Sequence, residues 1–227
     1  MSGLDTQLKV ELYHVLDHGF VRLVDSMGSD LSISRAARVS YDAPPREEDG
    51  KLIKYLLTNK HTTPFEAVKF TFEVKAPIFV LRQWHRHRMW NYNELSARYR
   101  ELPAEYYVPA LDQITTQSTS NKQMRTTEQH PEANAIRKEI DMACREAFRV
   151  YKMLIFCGTP RELARSVLPL NTYSHMFASV DLHNLFHFLR LRLHEHAQYE
   201  IRVYAEAMLK LIEPICPLAV AAFKGTL

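Results

Sequence analysis

The residues best equipped for chemistry crowd into one segment, Arg82 to Arg100, which reads RQWHRHRMWNYNELSARYR. Five arginines, two histidines and four aromatic rings fall within these nineteen residues. A solvated helical face would carry Lys and Glu in balance and fewer rings. A guanidinium presents a planar fork of donors that matches a phosphate, so Arg86, Arg88 and Arg98 suit an anionic ligand. Were a helix to extend through the segment, Gln83, Arg86 and His87 would share a face by i+3 and i+4 spacing. A plain polar interface is the other reading of the same residues. Histidines form a second concentration, eleven in the chain, with His183 and His187 one helical turn apart and His194 and His196 close behind. Two His at i and i+4 can chelate a metal, but neither a thiolate cluster nor H-E-x-x-H accompanies them, so no metal is expected. Third, Arg192 sits among Leu189, Leu191 and Leu193, where an unpaired charge is costly. On a continuous helix Arg192, His196 and Glu200 share one face, with Arg190 about 200° away. An ion pair from Arg192 to Glu195 or Glu200 would account for that arginine without any ligand.

Composition narrows what such a site can be. The chain has 227 residues, 46% hydrophobic and 24% charged, an ordinary soluble composition. No composition break or repeat divides it, so a single domain over 1–227 is expected. A net charge of +3 is too mild for a dedicated nucleic-acid binder, though its sign permits an anionic ligand. Only six glycines occur, at 3, 19, 28, 50, 158 and 225, where average usage would give about sixteen. None are spaced for G-x-G-x-x-G or a P-loop, which excludes Rossmann-type and Walker-type phosphate cradles. Cys144, Cys157 and Cys216 show no C-x-x-C spacing and suit a reducing compartment. The start, Met1-Ser2-Gly3-Leu4-Asp5, lacks the basic-then-apolar run of a signal peptide. The uncharged stretch Ser166 to Val180 is too short and polar to span a bilayer. A cytoplasmic location without membrane partners is expected.

The elements that must position these residues are partly readable. Residues 8–16 and 20–25 read as strands around a turn at Asp17-His18-Gly19. Asp30 is placed to cap a helix running to about Arg38. Glu47 to Asn59 has helical spacing of Leu52, Ile53, Leu56 and Leu57. Thr63-Pro64-Phe65-Glu66 carries a capping-box pattern, yet the alternation Val68, Phe70, Phe72, Val74 predicts a strand straight after it. The cap can therefore serve a single turn. A helix is favoured after Pro77, and Asp112 to His130 reads as a polar surface loop. Beyond it helices dominate: Ala133 to about Phe156, a short one opened by Thr159-Pro160-Arg161-Glu162, and a long one from about Asp181. A small early β-sheet packed with a helix-rich second half makes an α+β fold.

At Arg86-His87-Arg88, followed by seven residues and Ser96, the segment resembles the signature of the flavin-dependent thymidylate synthases. The continuation N-E-L-S-x-R-Y also resembles that family, as do RAARVS (35–40), TPFE (63–66), PRELARSVLPLN (160–171) and LRLHEHAQYE (191–200). The resemblance extends over about residues 20 to 205. It implies reductive methylation of dUMP to dTMP, with 5,10-methylenetetrahydrofolate giving the carbon, NADPH the electrons, and a bound FAD relaying hydride. It also implies a homotetramer with FAD at subunit interfaces. By motif position, Gln83, Arg86, Glu94, Leu95, Ser96, Ala97, Arg98, Arg165 and Arg192 would line the nucleotide site. Ser40, Thr63, Arg86, His87, Arg88, Glu94 and His196 would contact FAD. Asp181, His183 and His187 stand where the family often has Asn, Arg and Asn for flavin contacts, and an Asp in place of an Asn loses donors. Ala97 stands where some relatives have Gly.

The implied catalytic residues are Arg192 and Ser96. A guanidinium at the N3/carbonyl edge would stabilise a deprotonated pyrimidine. Ser96 could act as nucleophile, but no base stands at recognisable spacing, which favours a positioning role. Two rivals remain open to a direct check: a single-stranded nucleic-acid binder using segment 82–100, and a metal-dependent hydrolase built on His183, His187, His194 and His196. Flavin absorption bands would remove both. Helix geometry adds an expectation. On one unbroken helix from 181 to 200, His183 and Arg192 lie nine residues apart and so face opposite sides, as do His187 and His196. A helix serving one site with each face would make every site a joint product of several subunits.

Overall fold

The computed structural model describes residues 11–39 and 49–227. Strand β1 (Leu12–Val15) pairs antiparallel with β2 (Gly19–Met27) across a turn at residues 16–18. At Gly19 any Cβ would run into the Tyr204 hydroxyl and the Val15 carbonyl, so this turn closes only on glycine. Helix α1 (Asp30–Ala37) follows Ser29 as its N-cap. The Asp30 carboxylate caps a different helix: it accepts from Leu218 N at 2.8 Å and Ala219 N at 3.0 Å, at the start of α8 (Pro217–Lys224). Local sequence places an acid at a helix start; the tertiary fold chooses which helix it serves. Helix α2 (Asp49–Thr58) covers the described part of the expected 47–59 helix.

The expected single turn is a 3-10 turn, Thr63–Ala67, but Thr62 is its N-cap and no side-chain cap bond forms, so the capping box read at Thr63 is not used; β3 (Lys69–Pro77) follows at once. Pro77 then opens α3 (Ile78–Trp84). That helix stops at Trp84, so Gln83, Arg86 and His87 do not share a helical face; residues 85–90 turn instead into β4 (Asn91–Glu94). The stretch read as a surface loop contains a small hairpin, β5 (Thr115–Gln117) with β6 (Arg125–Gln129). Helices α4 (Ala133–Phe156) and α5 (Arg161–Ala164) lie where expected.

The strands are not all early. Residues Tyr173–Asp181 form β7, which sits between β3 and β4 in an antiparallel sheet of order β1-β2-β3-β7-β4. Its register pairs Phe72 with Ala178, Val74 with Met176 and Phe70 with Val180, all buried, so one face is a continuous apolar surface. The other face is polar: Thr71 bonds Ser179 side chain to side chain at 2.9 Å, and Glu73 meets His175 at 2.6 Å and Arg22. Helices α6 (Leu182–Arg192) and α7 (Tyr199–Ile212) join the core through Leu185, Phe188, Leu189, Ile201, Tyr204 and Met208. The α+β fold thus stands, with a late strand in the interior of its sheet. The single helix expected over 181–200 is two helices, broken at residues 193–198.

Candidate active site

The site grows from the end of the sheet. Because β3 ends in Pro77, α3 starts there, and its first free N–H groups, Ile78 and Phe79, donate to the carbonyls of Thr172 and Leu170 at 2.9 and 3.0 Å. Trp84 is fully buried, stacked on Phe188 at 4.9 Å and edge-on to Trp90 at 5.9 Å. Tyr92 closes the turn that follows: its hydroxyl, at 3.1 Å from the Trp84 carbonyl and 2.9 Å from that of His87, is the donor to both. The turn drives His87 inward, 4.9 Å from the Phe188 ring, while Arg86 and Arg88 on either side stay exposed. This alternation makes one wall of a cleft of about 510 Å³, a volume typical of a small-molecule site. The opposite wall comes from α6.

Arg86, His87, Arg88, His187 and Arg192 line this cleft together. Arg192 pairs with neither Glu195 nor Glu200. Its Nε donates to His87 Nε2 at 3.0 Å and its Nη2 to the Gln83 carbonyl at 3.3 Å. Accepting at Nε2 requires an unprotonated His87 nitrogen there, and the electrostatics agree. Burial first, then the charges of Arg192 and His187, push the His87 pKa down to about 4. Burial and the neighbouring Arg86 also lower the Arg192 pKa. An arginine remains charged regardless. The cleft therefore offers a neutral acceptor behind a fixed guanidinium.

Other expected site residues lie outside the cleft lining. Glu94 accepts from Ser174 Oγ at 2.6 Å, with His85 Nε2 4.0 Å from its other oxygen. The Leu95 N–H donates to the His175 carbonyl, Ala97 is buried, and Ser96 Oγ accepts from the Arg98 N–H at 3.3 Å. Arg98 pairs with Glu162 at 3.2 Å, and Arg165 is exposed in the 3-10 turn after α5. Thr63 is exposed on its own turn, and Ser40 lies outside the described residues. Asp181 caps α6, its two oxygens accepting from Asn184 N and Nδ2 at 2.9 and 2.7 Å, so its carboxylate is engaged. His183 is half-buried away from the cleft, and His196 is exposed in the 193–198 break, 3.4 Å from Glu195. Since α6 ends at Arg192, His196 and Glu200 are not on its face. Among the described residues no group of three or more His, Cys, Asp or Glu could hold a metal ion.

Sequence reasoning missed Met89, Trp90, Asn184 and Leu191, which complete the lining. Asn184, His187 and Leu191 were within reach, since they follow the i+3, i+4 rule along α6.

Residues 22–218 match the family described as thymidylate synthase complementing protein. A flavin-dependent thymidylate synthase of Treponema denticola is 51% identical over 216 residues, which cover 93% of this chain and 81% of that protein. One of Thermus thermophilus is 49% identical over 213 residues, covering 92% of this chain and 77% of the relative. A crystal structure of a UMP/dUMP methylase, PolB, from Streptomyces cacaoi bound with 5-Br dUMP is similar with a TM-score of 0.86. It is 35% identical and covers 94% of this chain and 97% of that one. With the match spanning residues 22–218, and with it the R-H-R turn that walls the cleft, the chain belongs to the family of flavin-dependent thymidylate synthases.

Proposed function

We propose that this chain catalyses the reductive methylation of dUMP to dTMP, with FAD as its flavin, 5,10-methylenetetrahydrofolate as carbon donor and NADPH as reductant. We further propose that it works as a single-domain subunit of a cytoplasmic homotetramer. The observation that carries this reading is the arginine-walled cleft in which Arg192 is held by a neutral His87. Among the described residues no helix is long and apolar enough to cross a membrane.

The residues present fit anionic, planar ligands. Three guanidiniums, of Arg86, Arg88 and Arg192, line the cleft beside Met89 and Trp90. The Trp90 indole Nε1 is buried with no hydrogen-bond partner among the described residues, a donor that ligand atoms could satisfy. With no glycine-rich loop in the chain, side chains must supply the phosphate donors. Arg86 and Arg88 are assigned to phosphate groups of the flavin, with Arg86, Arg98 and Arg165 toward the nucleotide phosphate. Methylation at C5 needs electron density on the pyrimidine ring. Arg192, facing the N3/carbonyl edge, would stabilise the negative charge of the deprotonated ring. His87 accepts from Arg192 Nε and so turns the rest of the fork toward the ligand. The bound flavin supplies hydride transfer. In balance, dUMP, 5,10-methylenetetrahydrofolate, NADPH and one proton give dTMP, tetrahydrofolate and oxidised NADP: the methylene carbon passes to C5, the C5 hydrogen leaves as a proton, and the hydride of NADPH completes the methyl group. Ser96 is paired with the Arg98 N–H rather than with a base, which supports a positioning role. The test is direct: the purified protein should show flavin absorption bands and form dTMP from dUMP with the folate and NADPH. A colourless protein that cannot be loaded with FAD and makes no dTMP would overturn the reading.

A further inference from the structure

A run of hydrogen bonds leads from the β5–β6 hairpin to Arg192, and its centre is a carboxylate that the chemistry above does not use. Glu200, in the first turn of α7, is 2% exposed. Burying a carboxylate is costly unless donors surround it. Three do: Tyr107 OH at 3.1 Å, Arg125 Nη2 at 3.0 Å and Gln198 Nε2 at 2.8 Å. Arg125 is itself fixed, because its Nη1 donates to the Gln113 carbonyl at 3.0 Å. Donating to Glu200 sets the orientation of the Gln198 amide. Its oxygen must then point away from the carboxylate, and there it accepts from Gln83 Nε2. Gln83 lies in the last turn of α3, and its carbonyl is the one that receives Arg192 Nη2.

We infer that Glu200 is a positioning residue for Arg192, acting through Gln198 and Gln83. The charge fixes the Gln198 amide, the amide ties the end of α3 to the start of α7, and that tie holds the carbonyl on which the guanidinium is oriented. Arg125 couples the hairpin, a surface element, to the same carboxylate. Glu200 itself lies outside the lining of the cleft. The inference rests on the assignment of Arg192 to the nucleotide.

The test is a double-mutant cycle on the flavin-loaded enzyme, read as the dUMP dissociation constant, with FAD content and melting temperature measured in parallel. Glu200→Gln should weaken dUMP binding roughly tenfold, the scale of misplacing one charged hydrogen bond. Made in an Arg192→Ala background, the same change should alter binding less than about twofold, because its effect passes through that guanidinium. A purely structural role would instead weaken binding equally in both backgrounds, and that result would overturn the inference. Gln198→Ala, at an exposed position, cuts the same chain while keeping the Glu200 charge and its bonds from Tyr107 and Arg125. It should reproduce the loss in a folded protein of normal FAD content whose melting temperature falls only by the amount of one lost hydrogen bond, and it decides the matter where Glu200→Gln fails to fold. If Arg192→Ala binds dUMP normally, the assignment of Arg192 fails. If it does not, while Gln198→Ala and Glu200→Gln do, only the positioning role fails.

Discussion

Arg192 meets the cleft with two of its N–H groups already committed, to His87 Nε2 and the Gln83 carbonyl. A group held this way is prepaid in orientation, which is what transition-state stabilisation needs. Arg192→Ala should abolish dTMP formation and weaken dUMP binding with FAD retained, and Arg192→Lys should recover little, because an ammonium cannot hold both bonds and still present a planar edge. Near-normal turnover in the alanine variant would end this assignment. Ser96→Ala should slow turnover by a modest factor and leave a measurable rate; complete loss with normal FAD content would make Ser96 a nucleophile. His87 carries a pH signature. Its folded pKa of about 4 lies below the ordinary 6.5, so the folded state binds fewer protons than the unfolded chain between those values. Its contribution to stability is full above about pH 6.5 and is lost as the pH falls toward 4. At pH 5 the loss comes to about 2 kcal/mol. Urea midpoints at pH 8 and pH 5 check this, and His87→Gln should flatten the difference; a variant as pH-sensitive as the wild type would clear His87 of the effect.

At the scale of elements, the site depends on where two helices stop. α3 ends at Trp84 because the tryptophan is locked between Phe188 and Trp90 and Tyr92 ties down the turn beyond it. α6 ends at Arg192 without glycine or proline. The break at 193–198 is a turn in which the Ala197 N–H reaches the His194 carbonyl at 2.8 Å and the His196 N–H the His194 ring at 3.2 Å. Local polar bonds of this kind compete with the helix, and the next helix begins with Glu200 buried on Tyr107 and Arg125. The other end of α6 is set by Asp181. Asp181→Ala should cost about 1 kcal/mol of stability, and Asp181→Asn only a few tenths, since Asn caps nearly as well. Thermal melts measure both, with FAD content unchanged in each. Loss of flavin from the alanine variant but not from the asparagine variant would mean that residue 181 also contacts the cofactor.

Across the whole molecule, the residues assigned by family resemblance do not converge on one cleft. Arg192, His187 and the R-H-R turn share it, while His183, on the same unbroken α6 and nine residues from Arg192, lies outside its lining. Nine residues are half a turn past two full turns, so one helix points toward two regions. The second pair on which that geometry was expected, His187 and His196, no longer bears on it, because His196 lies past the end of α6. The proposed homotetramer would account for the remaining pair if each site were composed from several subunits. Mixing Arg192→Ala with His183→Ala subunits should then restore activity from two inactive proteins. Random exchange would give about one site in four with both residues intact. Absence of recovery after verified exchange, or a monomer that binds flavin and turns over normally, would refute the shared site.

Much of this was legible in residue order. The hairpin β1–β2, the alternation of β3, the periodicity of α2 and α4 and the single turn at Thr63 are local patterns, and local sterics and amphipathicity decide them. The arginine-rich segment announced an anionic ligand because guanidinium density is a property of composition. What composition could not reveal was partnership. Tyr173–Asp181 is a strand because Phe70, Phe72 and Val74 lie roughly a hundred residues away, ready to pair with Val180, Ala178 and Met176. Asp30 caps α8 because the far end of the chain returns to it. Glu200 is tolerated in the interior only because Tyr107 and Arg125 arrive from separate segments to satisfy it. Periodicity reports which face of an element is apolar, whereas the energy of a buried charge or a sheet register depends on the group opposite. Only the folded chain determines which group that is.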